Sequence, residues 1–244
     1  MYMANEICET ILDFKMDFSY ESNKEKALNN VIGSISKGQC VVLCGESGCG
    51  KSTLLRCLNH LIPEFYDGIF NGHILVNSED IGNKNVGEVV ETISSVFQDP
   101  RSQFFTMESD TEIAFGLENK GLTHEEIKKR TKEAFSKFGL EYLENREVFK
   151  LSSGERQLIA IMAAWAMDTD IILLDEPSAN LDVESKAILR DFLEEEKRKS
   201  IMILIAHDLL YEEIADEIYT INNKNLELSL FFWGGGIGEY PRKS

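Results

Sequence analysis

Residues 45–52 read GESGCGKS, set between a nearly continuous apolar run, QCVVLCG (39–45), and KSTLLRCLNHL, whose leucines fall at helical spacing. A buried strand, a glycine-rich turn and a helix, in that order, make a phosphate cradle. Gly45, Gly48 and Gly50 allow backbone N–H groups to turn inward around phosphate oxygens, Glu46, Ser47 and Cys49 complete the loop, and the helix N-terminus adds its dipole. Lys51 is then placed for the β- and γ-phosphates of a nucleotide, Ser52 for a Mg²⁺ ion and Thr53 for the α-phosphate region.

A second constellation lies in IILLDE (171–176). Four apolar residues bury a strand, and its end presents Asp175, suited to hold Mg²⁺, and Glu176, suited to orient or deprotonate a water attacking the γ-phosphate. Alone, an acidic pair ending an apolar strand is also an ordinary strand terminus; behind a phosphate cradle it reads as function. Gln98 ends the run SSVFQ before DPRS, on a joint from which it reaches metal or water only when the loop closes. His207 ends IMILIAH, where an imidazole reaches a γ-phosphate, although a single histidine is more often structural. Asp182, in SANLD (178–182), is weak taken singly. LSSGERQ (151–157) is a further polar, glycine-bearing loop, for which a simple helix cap by Ser152 or Ser153 is the plain alternative.

The elements that must position these residues follow from pattern. Buried runs at 39–45, 170–175 and 201–207 alternate with the helical stretches 51–61, 154–167 and 183–199, which argues for a mostly parallel sheet covered on both faces. ILDFKMDFSY (11–20) alternates as a half-buried strand does, and ISSVF (93–97) is another strand. From about 99 to 159 the chain reads as a helical insert; in it Thr123 with Glu126 fits a capping box and Gly139 a C-terminal stop. One domain over 1–232 is expected, its core at about 1–98 and 160–230, followed by an aperiodic Gly-rich tail, 233–244.

Composition narrows the classes. The net charge of -17, from 42 acidic and 25 basic residues, disfavours general nucleic-acid binding. Five cysteines (Cys8, Cys40, Cys44, Cys49, Cys57) form no CxxC pair and read as reduced thiols, with no zinc site. LIAIMAAWAM (158–167) is well short of the roughly 20 residues that span a bilayer. A membrane association therefore runs through a partner.

Kinases, GTPases, helicases and motors share the first two motifs. The order P-loop, Gln98, LSSGERQ, LLDEPSANLD, His207, over nearly the whole chain, resembles the ATP-binding cassette (ABC) ATPases. The resemblance implies an α/β P-loop NTPase (RecA-like) core with an N-terminal antiparallel β region and a helical subdomain, and ATP and Mg²⁺ as cofactors. It implies that Tyr20, 25 residues before Gly45, stacks on adenine, and that Ser152, Ser153 and Gly154 grip the γ-phosphate held by a second cassette paired head to tail. Ser153 stands where the family usually has glycine, adding a Cβ where φ is positive or the approach tight, and Glu155 replaces the usual glutamine.

CLNHLIPEFYDGIFNGHILVNSEDI (57–81) and VFQDPRSQFF (96–105) look like the ATPases of energy-coupling-factor (ECF) vitamin and metal-ion importers, where Q-[DN]-P-x-x-Q-[LF] follows the glutamine loop. By that likeness Phe104, Phe105 and their neighbours receive a coupling helix of a transmembrane partner, or pack the insert onto the core, or both. The expectation is a cytoplasmic ATP-hydrolysing subunit on the inner face of the membrane, pairing with a second cassette and a transmembrane subunit and binding no nucleic acid. The rivals are a soluble ABC ATPase acting on nucleic acid or the ribosome, and a regulatory module that holds ATP without cleaving it.

Overall fold

The computed structural model describes residues 10–22, 25–205, 211, 213–233 and 236–239, with Thr10 and 230–239 described by backbone alone. Thr10–Tyr20 (β1), Leu28–Ser36 (β2), Gly68–Val76 (β4) and Glu79–Asp80 (β5) form a four-stranded antiparallel sheet in the order β2-β1-β4-β5. Cys40–Cys44 (β3), Ile93–Val96 (β6), Ile171–Asp175 (β7), Ile201–Ile205 (β8), Glu217–Asn222 (β9), Asn225–Trp233 (β10) and Gly236–Glu239 (β11) form the second sheet. Its order is β11-β10-β9-β3-β8-β7-β6. The five strands from β9 to β6 run parallel, and β10 and β11 add an antiparallel edge.

Every residue of β7 and β8 is buried, as expected for strands covered on both faces. Alternation assigns each strand residue to one of two cores. Cys40, Val42, Ile172, Leu174, Met202 and Leu204 pack toward the helical side; Val41, Leu43, Ile171, Leu173, Ile201 and Ile203 pack toward the first helix and the antiparallel sheet.

The first helix is Lys51–Leu58 (α1), followed by the short turns Leu61–Glu64 (α2) and Val86–Val89 (α3). Between β6 and β7 lie Ser109–Asn119 (α4), His124–Phe138 (α5) and Ser153–Ala166 (α6); Val183–Glu196 (α7) follows β7. In α5 the side chain of Thr123 accepts from Glu126 N and Glu126 bonds back, and Gly139 ends the helix at φ +65°, as its sequence predicts. The helical stretch is not separable at residue 159. α6 begins in it and runs on into the core, burying Leu158, Ile159, Ile161 and Met162, each worth about 1.5–3 kcal/mol of apolar burial.

The tail differs from its reading. Glycine removes the periodic signal that marks a strand, yet Gly236–Glu239 pairs antiparallel with β10, with Gly236 opposite Trp233. Backbone hydrogen bonds, not side-chain alternation, define this edge.

Candidate functional site: a nucleotide cleft and a second, capped helix start

The cradle begins where β3 ends. Gly45, Gly48 and Gly50 sit at φ +139°, +79° and +118°, values that L side chains rarely adopt. Two of them are also sterically locked: a Cβ on Gly45 would lie 2.8 Å from Ile221 O, and one on Gly50 2.8 Å from Ala27 O. α1 starts directly on Gly50 with no side-chain cap, so its first amides carry the positive end of the helix dipole toward the loop. Lys51 is buried, and its Nζ donates to Gly45 O (2.7 Å) and Glu46 O (3.0 Å), bracing the loop from within.

An open cleft of about 370 Å³ lies over this loop, lined by Tyr20, Ser47, Gly48, Gly50, Lys51, Ser52, Thr53, Gln98 and Glu176 among others. Tyr20 Oη lies 3.1 Å from Thr53 Oγ1, and its ring stands edge-on to Phe18. Glu176 follows β7 at φ +49°, a left-handed conformation that costs a non-glycine residue about 1–3 kcal/mol. Gln98 Nε2 donates to Glu176 Oε2 at 2.8 Å, joining two candidates 78 residues apart.

Asp175 is 8 % exposed, and its Oδ1 has no hydrogen-bond partner. Burial pushes its carboxyl above the usual range, helped by the charge of Glu176 and opposed by the Ser52 hydroxyl, Arg56 and Lys51. An orphaned, buried carboxylate oxygen beside a serine hydroxyl is the hard-oxygen donor set that Mg²⁺ takes, with phosphate and water supplying the rest. Among the described residues no group of three or more His, Cys, Asp or Glu gathers as a metal cage. Gln98, also read as a metal contact, donates instead to Glu176.

LSSGERQ stands apart from the cleft. Ser152 caps α6 in a full capping box: its Oγ accepts from Glu155 N (3.2 Å), and Glu155 Oε2 accepts from Ser152 N (2.7 Å). Ser153 is exposed and helical, with negative φ, so its Cβ meets no backbone strain, contrary to the expectation for that position. Gly154 is buried, and a Cβ there would sit 3.3 Å from Asn180 O; its smallness serves the chain's own SANLD loop. Asp182 caps α7 by accepting from Ser185 N at 2.8 Å, which holds its carboxyl below the ordinary range. None of Ser152, Ser153, Gly154 or Asp182 lines the nucleotide cleft; Ser153 lines a second one with Gln98, Asp99, Arg101, Arg156 and Asn180. His207 lies outside the described residues.

Sequence reasoning missed Glu25, Lys26, Ala27 and Lys224 at the cleft. Lys224 pairs with Glu25 at 2.9 Å, and Lys26 with Asp17 at 2.7 Å. No local motif marks them: the turn between β9 and β10 reaches the cleft only because β9 pairs with β3. Of the two phenylalanines at the insert, Phe104 packs against the helical-side core, whereas Phe105 is 75 % exposed and stacks on Phe115 at 5.2 Å.

A parallel sheet, a glycine cradle opening a helix, and an acidic pair ending the strand two places along the sheet define a P-loop nucleoside triphosphatase. Residues 28–179 match the family model described as "ABC transporter". The chain belongs to that family and carries its ATPase domain. It is 40% identical over 210 residues to a putative ABC transporter ATP-binding protein of Treponema denticola, covering 85% of this chain and 43% of that one. It is 33% identical over 225 residues to the energy-coupling factor transporter ATP-binding protein EcfA1 of Streptococcus mutans, covering 91% and 79%. Among solved structures it is similar to cbiO1 of Clostridium perfringens, part of the ABC transporter complex cbiONQ, with TM-score 0.77, 27% identity and coverage of 90% and 88%. The chain spans about half the length of several of the curated relatives it matches.

Proposed function

We propose that this chain binds and hydrolyses ATP to drive an importer of ECF type, for a vitamin or metal ion, as one of two cassettes paired head to tail. The observation that carries the reading is the Gln98–Glu176 hydrogen bond in the cleft over the cradle, a cleft that the chain's own LSSGERQ segment does not line. The cradle amides and Lys51 hold the phosphates, Tyr20 receives the adenine ring, and Thr53 braces both. Ser52 and Asp175 would hold Mg²⁺, which when bound neutralises charge on the phosphates. Glu176, with Gln98, orients the attacking water and takes its proton, while His207 stabilises the charge of the γ-phosphate. Ser152, Ser153 and Gly154 serve the nucleotide of the partner cassette, with Asp182 beside them.

Likeness to EcfA1 supports the ECF assignment, likeness to cbiO1 supports a place in a transporter complex, and the exposed Phe105 platform supports a membrane partner at the insert. No described helix is long and apolar enough to cross a membrane. In this reading the chain works at the cytoplasmic face, held there by that partner, as its likeness to transporter ATP-binding proteins supports. Replacing Glu176 by Gln keeps the side-chain shape and removes the base. Hydrolysis is expected to fall by about 10³-fold with ATP binding intact and an ATP-bound dimer accumulating in size-exclusion chromatography. Unchanged turnover removes Glu176 from the base role.

A further inference from the structure

Gln103 ends the QDPRSQ stretch and touches nothing in the cleft, yet its side-chain amide has two specific partners. Its Oε1 accepts from Phe97 N at 3.1 Å, and its Nε2 donates to Ser95 O at 2.9 Å. β6 is the last strand of the sheet, and its pairing with β7 stops at Val96. Ser95 O and Phe97 N are the groups a further strand would bond, so the amide of Gln103 stands in for one and prolongs the order of β6 to the residue before Gln98. Gln98 then reaches Glu176.

The loop between is tied to itself, so it moves as a unit. Asp99 Oδ1 accepts from Arg101 N (3.1 Å), Asp99 O accepts from Ser102 Oγ (2.7 Å), and Pro100 O accepts from Gln103 N (3.0 Å). Just beyond Gln103 a second clamp holds the chain to the helical insert. The buried Glu112 of α4 accepts through Oε2 from Phe105 N (3.1 Å), Thr106 N (2.8 Å) and Thr106 Oγ1 (2.8 Å). Only Phe104 separates a clamp on the sheet from a clamp on the insert.

The geometry assigns Gln103 as a positioning residue for hydrolysis. It fixes Gln98 at the depth where its amide meets Glu176, and it is the point through which movement of the insert, gripped at Glu112, reaches that amide. The assignment rests on the hydrolytic reading given above. Gln103→Leu removes both hydrogen bonds at similar volume. In the full chain its kcat is expected to fall about 10-fold while KM for ATP stays within about 2-fold, since the lost bonds lie outside the nucleotide cleft. In a Gln98→Ala background the same change is expected to alter kcat by less than about 2-fold, because both act through one group.

Without nucleotide, hydrogen exchange at the Phe97 amide is expected to accelerate about 10-fold in Gln103→Leu as its acceptor goes. Gln103→Glu, which keeps an acceptor for Phe97 and loses the donor to Ser95, is expected to fall between the two. Unchanged exchange at Phe97 overturns the clamp, and so does a full additional loss in the Gln98→Ala background. A wild-type chain that fails to turn over ATP overturns the hydrolytic reading instead, while Phe97 exchange still decides the clamp.

Discussion

Two helices of this chain begin on glycine- and serine-bearing loops, and they are finished in opposite ways. α1 starts on Gly50 at φ +118° with no side-chain hydrogen bond capping it. α6 starts on Ser152, whose hydroxyl and backbone amide are both engaged with Glu155. The first end is held open by conformations only glycine adopts readily, and it stays open to an anion. The second is satisfied within its own chain. The contrast explains why both segments look like phosphate loops on paper while only one lines the cleft that joins Lys51 to Glu176.

Mixing two inactive variants tests this contrast most severely. Lys51→Ala disables the cradle; Ser152→Asp keeps a good N-cap but sets a negative charge where the partner's phosphate would arrive. If the two ends serve different sites, each variant alone is nearly inactive, and an equal mixture regains up to about a quarter of wild-type hydrolysis through the one intact site of the mixed pair. No regain places both ends in one site.

Next in size is Gly50→Ala, which is expected to abolish nucleotide binding by titration calorimetry. Its methyl must enter 2.8 Å from Ala27 O at a φ foreign to alanine. The corresponding change at the other start, Gly154→Ala, meets Asn180 O only at 3.3 Å and is expected to leave ATP binding intact.

Asp175 gives a smaller effect of unusual sign. Because burial raises its folded pKa above the ordinary aspartate range, ionising it at neutral pH opposes folding, and this cost disappears as pH falls through the folded pKa. Asp175→Asn is therefore expected to raise the nucleotide-free melting temperature at neutral pH, by on the order of 2 °C, and to remove the further stabilisation given by Mg²⁺ with ATP. A lower melting temperature contradicts the desolvation argument. Ser153→Gly is the smallest change. Ser153 is exposed, with negative φ, so glycine relieves no strain and is expected to shift stability by less than about 1 kcal/mol, in the destabilising direction.

Much of this arrangement was legible beforehand where neighbours in sequence decide it. The left-handed glycines of the cradle, the capping box of α5 with its Gly139 stop, and the buried strands ending at Cys44 and Asp175 all depend on groups a few residues apart. At LSSGERQ local signals compete: a helix cap and a phosphate contact ask for the same serine, and the fold shows that the cap is made. The β11 strand was missed because glycine carries no alternation to read.

The sequence alone therefore determined the chemistry: a phosphate cradle, a buried acid beside a second acid, and helices with marked ends, all set by short-range sterics and hydrogen bonding. Tertiary structure decided the addresses. It set Gln98 on Glu176 across 78 residues, brought Lys224 and Glu25 together in the lining of the cleft, and left Ser152 outside that lining. Those placements follow from strand order and from which face each helix buries, and both are settled only when the whole core packs.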